Sequence, residues 1–134
     1  MGTVALFIYS HVRIFHTGDT VALLLKADYH SPQEYSLLTP CHCTKQGGLT
    51  SFWGIGDNLA LDYSEHQFAE DDILFLASDG LTDVMDYGEI SRLVRQMDYF
   101  TGDECAASCR RLCALARKRG SGDDITALLI YREE

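Results

Sequence analysis

The stretch Leu74-Phe75-Leu76-Ala77-Ser78-Asp79-Gly80-Leu81-Thr82-Asp83 reads as an apolar strand that delivers a carboxylate at its C-terminal end. Gly80 lets the backbone turn sharply behind it, and chemistry concentrates where a rigid element hands over to a loop. If one helical turn follows, Asp83 at i+4 lies on the same side as Asp79, within reach of one hard cation. Two more acidic turns repeat the arrangement. Gly18-Asp19 stands between two strand-like segments, and Gly120-Ser121-Gly122-Asp123-Asp124 leads straight into the last one. Any single Gly-Asp pair is ordinary turn chemistry; the set is what matters. Concentrated like charges repel unless a cation neutralises them, and all-oxygen donors select Mg²⁺ or Mn²⁺ over softer metals.

Working outward from this strand, apolar segments at Thr3–Tyr9, Val12–His16 and Thr20–Lys26 open the chain, with spacings that suit an antiparallel meander. In Val4–Ile8 and Val21–Leu25 both alternating faces are apolar, so the sheet should be covered on two sides. A weaker strand is expected at Glu34–Leu38, then a glycine-containing flap over residues 39–58, and strands again at Tyr63–Ala69, Ile73–Ser78 and Ile125–Tyr131. Between the last two the period turns helical. Ile90, Leu93, Val94 and Met97 mark one buried stripe, and Thr101-Gly102-Asp103-Glu104 fits a capping box. Cys105, Cys109, Leu112, Cys113 and Ala116 then share one face of a helix that ends at Arg117-Lys118-Arg119-Gly120. Two helices cannot cover both faces of so many strands, so an apolar sheet surface is left for something else to bury.

Composition narrows the class. The 134 residues suit one domain spanning 1–134, and 46% hydrophobic with 23% charged residues argues against disorder. A net charge of −9 has the wrong sign for gripping a phosphate backbone, so no nucleic-acid partner is expected. No apolar run approaches the ~20 residues of a membrane span, and no signal peptide is visible. Five cysteines without such a signal read as reduced thiols in a cytoplasmic protein. Cys41-His42-Cys43 and the helical cysteines lack a standard zinc spacing, and the three helical thiols are expected to pack their helix against the sheet.

The order Met1-Gly2-Thr3, Gly18-Asp19-Thr20, Leu38-Thr39, Ser78-Asp79-Gly80-Leu81-Thr82-Asp83 and Gly120-Ser121-Gly122-Asp123-Asp124-Ile125-Thr126 resembles the metal-dependent Ser/Thr protein phosphatases of type 2C, bacterial style. The resemblance runs almost end to end. It implies an α+β fold, an antiparallel β-sandwich flanked by helices in α-β-β-α layers, with this chain matching the C-terminal portion. It also implies that Asp79 and Asp123 ligate one ion of a catalytic Mg²⁺ or Mn²⁺ pair, and that Asp19, Asp79 and Asp83 hold a third. The implied reaction is hydrolysis of a phosphoserine or phosphothreonine ester by a water bridging two ions about 3.5–4 Å apart, with a phosphoprotein as substrate.

Three departures accompany the match. Val21 stands where the family has an arginine, Cys41 where it has an aspartate before His42, and Asp124 where it usually has an asparagine. The family's phosphate-holding arginine and bridging aspartate precede the matched region, so this chain is expected to be incomplete as a catalyst alone. A missing N-terminal segment or self-association would then cover the bare sheet. The alternatives are an inactive pseudophosphatase, or a regulatory or self-associating module that retains part of the metal site. His42 is expected to order the loop before the flap, Trp53 to anchor it, and His66 to be solvated.

Overall fold

The computed structural model describes residues 1–97 and 101–133. Among them the elements run β1 (Gly2–Ile8), β2 (His11–Thr17), β3 (Val21–Leu25), β4 (Ser36–Leu37), β5 (Asp62–Gln67), β6 (Ile73–Ala77), α1 (Asp79–Thr82), α2 (Tyr87–Arg95), α3 (Gly102–Lys118) and β7 (Ala127–Tyr131). The strands form two antiparallel sheets, ordered β1-β2-β5 and β4-β3-β6-β7. The α+β sandwich expected from the resemblance is therefore present.

The opening meander is corrected. β1 and β2 pair as a hairpin, but β3 leaves β2 and joins the other sheet between β4 and β6. The reason is burial. Every residue of β3 is buried, and a strand apolar on both faces is stable only as a middle layer. Ala22, Leu24 and Leu74 face Val12, Ile14 and Phe68 between the sheets. Val21, Leu23, Leu25, Ile73 and Phe75 face the helices through Leu81, Ile90, Val94 and Leu112.

Capping sets the helix starts. The Asp86 side chain accepts the Glu89 N–H at the head of α2, and the Thr101 hydroxyl accepts the Glu104 N–H at the head of α3, as the capping-box motif predicts. Met97 lies past the end of α2 yet still packs on the helix-side core. Arg119, at the C-terminal end of α3, spans to α2, where it meets Glu89 through two bonds of 2.7 Å.

The layers are thus sheet, sheet, helices, and among the described residues no element covers the outer face of β1-β2-β5. Val4 (54% exposed), Leu6 (48%) and Tyr63 (55%) lie there, around an Arg13–Glu65 ion pair. Among the described residues no helix is long and apolar enough to cross a membrane.

Candidate metal centre

Asp19 owes its position to the crossing between the sheets. Gly18, where the chain leaves the β1-β2-β5 sheet, has φ +110°, and a Cβ there would stand 2.4 Å from the Met1 side chain, so only glycine makes this turn without strain. His42, between the cavity-lining Cys41 and Cys43, clamps the turn. Its backbone N–H donates to the Gly18 carbonyl at 2.8 Å, and its ring Nδ1 accepts the Gly18 N–H at 3.0 Å. With Nδ1 accepting, Nε2 carries the proton and donates to the Asp62 carboxylate. The loop-ordering role expected of His42 has this physical form.

A second histidine backs the same turn. His16 Nε2 donates to the carbonyls of Pro40 at 2.9 Å and Gly18 at 3.1 Å. Its Nδ1 accepts from the Thr3 hydroxyl at 2.9 Å, and Thr20 donates to Thr3 at 2.6 Å. Burial pushes the His16 imidazole below the usual histidine range, so the ring acts here as a neutral strut. Sequence reading alone left it without a role, because its partners Thr3, Gly18 and Pro40 come from three separate segments.

Asp79 stands two residues past the end of β6, after the N-cap Ser78, and opens α1, its Oδ1 accepting the Gly80 N–H at 2.9 Å. The helical turn forms, closed by the Asp83 N–H on the Asp79 carbonyl at 2.8 Å. Asp19, Asp79 and Asp83 then line one cavity of about 310 Å³, together with Thr39, Tyr87, Cys41 and Cys43. Asp19 is half-buried, and its Oδ1 is buried without a hydrogen-bond partner. Burial, then the facing Asp79 carboxylate, holds the Asp19 carboxyl above the ordinary aspartate range. A buried, unpartnered carboxylate oxygen beside a second carboxylate is the electrostatic condition that a hard dication relieves.

Asp123 is placed differently. It is exposed, its Oδ1 accepting the Asp124 N–H at 2.7 Å, and it is not among the residues lining the cavity. Its loop is nevertheless stitched to the Asp79 turn. Ser121 donates to the Gly80 carbonyl at 2.6 Å, Ser78 donates to the Asp124 carbonyl at 3.0 Å, and the Thr126 N–H donates to Ser78 Oγ at 2.9 Å. Gly80 permits the approach, since a Cβ there would meet the Asp124 carbonyl oxygen at 2.5 Å. Among the described residues no group of three or more His, Cys, Asp or Glu side chains is arranged to hold an ion. Two carboxylates completed by waters nonetheless suit Mg²⁺ or Mn²⁺, so the Asp19–Asp79 pair fits a hard ion.

Three expectations change here. Cys41 and Cys43, read as reduced thiols, are joined in a disulfide. His42 points inward between them, and their Cα atoms stand 5.4 Å apart, a span that a disulfide bridges. Cys105, Cys109 and Cys113 are free, and burial raises the first two thiols, in keeping with packing. Trp53 is 51% exposed, against the start of β1, and His66 is half-buried. A larger groove of about 620 Å³ between α3 and β7 brings one carboxylate, Glu133, to apolar walls, and so offers no comparable chemistry.

Residues 10–133 match the family model of Stage II sporulation protein E (SpoIIE). Over 63 residues, 47% of this chain and 9% of the other, the sequence is 40% identical to a protein kinase and PP2C-like domain-containing protein of Arabidopsis thaliana. In fold the chain is similar to the serine/threonine phosphatase of S. agalactiae, with a TM-score of 0.81 at 23% identity, covering 98% of this chain and 58% of that one. It is likewise similar to the Mycobacterium tuberculosis serine/threonine phosphatase PstP/Ppp, with a TM-score of 0.80 at 22% identity, covering 98% of this chain and 59% of that one. A structure of the PstP catalytic domain in complex with two manganese ions gives 0.72 at 22% identity, covering 95% and 56%. The chain spans less than two thirds of each of these relatives.

Proposed function

Because the chain belongs to the Stage II sporulation protein E (SpoIIE) family, we propose that it forms part of a metal-dependent phosphatase acting on phosphoserine or phosphothreonine esters of proteins. The observation that carries this reading is the unpartnered, buried Asp19 Oδ1 in a cavity that Asp79 and Asp83 also line. Asp19 and Asp79 would hold Mg²⁺ or Mn²⁺, with Asp83 on the same wall and Asp123 brought in from the adjoining loop. The ion would supply Lewis acidity and an activated water for in-line attack on phosphorus.

The chain's own residues do the positioning. Gly18 and His42 fix the Asp19 turn, and Gly80 with Ser78 and Ser121 fixes the Asp79 turn against the 121–126 loop. Tyr87 and Thr39 also line the cavity, and the buried Thr39 hydroxyl accepts the Ala22 N–H at 3.0 Å, which fixes that wall to β3. With a net charge of −9, the chain would repel a phosphate dianion unless cations screen the pocket.

We read the bare outer face of β1-β2-β5 as the seat of a further segment of the phosphatase body, which brings the phosphate-holding groups. One observation favours a second reading, an inactive module that keeps part of the site or associates with itself: among the described residues no three-ligand cluster is formed. Both meet the same experiment. The chain is mixed with a separately purified N-terminal half of a related phosphatase, and hydrolysis of para-nitrophenyl phosphate with Mn²⁺ is followed. Gained hydrolysis that Asp79→Asn removes supports the phosphatase reading. Mn²⁺ uptake without hydrolysis in any mixture supports an inactive module that keeps part of the site; no Mn²⁺ uptake at millimolar concentration removes both metal-holding readings, and a strictly monomeric chain in sedimentation removes self-association.

A further inference from the structure

We propose that Cys41 and Cys43 form a thiol-modification site, a reversible disulfide opened by a small-molecule dithiol, whose state sets how firmly the Gly18-Asp19 turn is held. Cys41 is exposed and Cys43 half-buried, and both line the cavity that contains Asp19 and Asp79. A reductant small enough to enter the cavity mouth therefore reaches the bond. The three free cysteines belong to α3, which packs on β7 at one edge of the β4-β3-β6-β7 sheet, while the cavity lies at the other edge beside Val21 and Leu37, so the pair exchanges with solutes and not with another thiol of this chain.

The bond acts on the acidic turn through the single residue it encloses. His42 makes both clamping bonds to Gly18, through its backbone N–H and its ring Nδ1. Its carbonyl accepts the Thr50 N–H at 2.8 Å, which ties the clamp to the later part of the flap. A bridge between the residues on either side of His42 removes most of the backbone freedom by which the clamp could lift away. When the bridge opens, the hydrogen bonds remain available, but the segment regains that freedom and the clamp opens more often.

The step balances. The S–S bond breaks, each cysteine sulfur gains one electron and one proton, and the dithiol that supplies them closes into its own cyclic disulfide. An oxidised dithiol or another disulfide reverses the reaction. The proposal does not rest on the phosphatase reading, because its readouts require neither metal nor substrate.

The test uses the whole chain, alkylated with iodoacetamide and digested before and after dithiothreitol, with backbone amide hydrogen exchange measured in both states. The peptide that contains Cys41 and Cys43 is expected to take no label before reduction and two labels after it. The Gly18 and His42 amides are expected to exchange roughly tenfold faster in the reduced chain, while amides at the centre of α3 keep their rate. Cys41→Ser is expected to hold the fast rate with or without dithiothreitol; should that variant fail to fold, the wild-type comparison still decides. Full labelling before reduction, unchanged exchange at Gly18 and His42, or the same acceleration throughout the chain would each overturn the proposal.

Discussion

The Asp79 carboxylate faces that of Asp19 across the cavity, and burial, then this facing charge, holds the Asp19 carboxyl above its ordinary range. Two residues at the ends of neighbouring strands, one in the turn before β3 and one opening α1 after β6, are thereby set against each other at a cost in stability. Such a cost persists where a ligand relieves it or a function requires it.

Asp19→Asn is therefore expected to stabilise the metal-free chain while removing Mn²⁺ binding. The gain is on the order of 0.5 kcal/mol, because Asp19 is partly solvated and its repulsion is screened. The sign with pH follows from the raised folded-state value. Stability linked to Asp19 is fully present below the unfolded value of 3.8 and is lost as pH rises through the higher folded value. The asparagine variant lacks this loss, so thermal unfolding from pH 3.5 upward without metal should show the two curves diverging. A variant less stable than wild type at neutral pH would refute the repulsion argument.

His16 predicts a slope of opposite sign. Burial lowers its folded-state value, so on acidification the unfolded chain takes up a proton near 6.5 before the folded one does. Stability should fall as pH drops from 7 towards 5. His66, also lowered by burial, contributes in the same direction, so His16→Asn should flatten the slope in part. Equal slopes in wild type and variant would assign the effect elsewhere.

Asp72 is 1% exposed and pairs with Lys26 while accepting the Ala27 N–H at 2.9 Å and the Ala69 N–H at 2.7 Å. It ties the ends of β3 and β6 together on the side remote from Asp79. Asp72→Ala strands two amide donors and a partly buried ammonium, and should cost about 3 kcal/mol in urea unfolding. A loss below about 1 kcal/mol would mean that water replaces the carboxylate.

Gly80→Ala forces its new methyl group onto the Asp124 carbonyl. Backbone must move, so the change should cost roughly 1–3 kcal/mol and displace the Asp123 loop. Nuclear magnetic resonance shifts at Ser121–Thr126 should report that displacement even where the variant stays folded. Unmoved signals there would show that Gly80 is not the contact that seats the loop.

Val4→Ser with Leu6→Ser changes the bare sheet face, where both side chains are about half exposed. Folding stability should change by less than about 1 kcal/mol, because little burial is lost. Any self-association seen by sedimentation should weaken, and association that ignores both substitutions would place the contact on another surface.

Strand identities, the capped helix after Thr101 and the acidic turns were all legible in one dimension, because alternation, 3.6-residue periodicity and turn chemistry are local properties. Even the uncovered sheet followed from counting elements against faces. The meander failed at a single point. Nothing in Thr17-Gly18-Asp19 announces that β3 changes sheets, since the choice depends on which neighbours can bury both of its faces. The role of Arg119 was hidden for the same reason, its partner Glu89 lying on another helix.

Residue types and their order thus determined that carboxylates stand at the ends of strands, where a divalent ion has a use for them. Only the folded chain decided which of them meet. Asp19 joined Asp79 and Asp83 through the crossing at Gly18, Asp123 stayed on the exposed loop beside them, and Cys41 closed onto Cys43 around an inward-turned His42. Such meetings depend on sheet order and on partners distant in sequence, and distance in space is a property that no local pattern encodes.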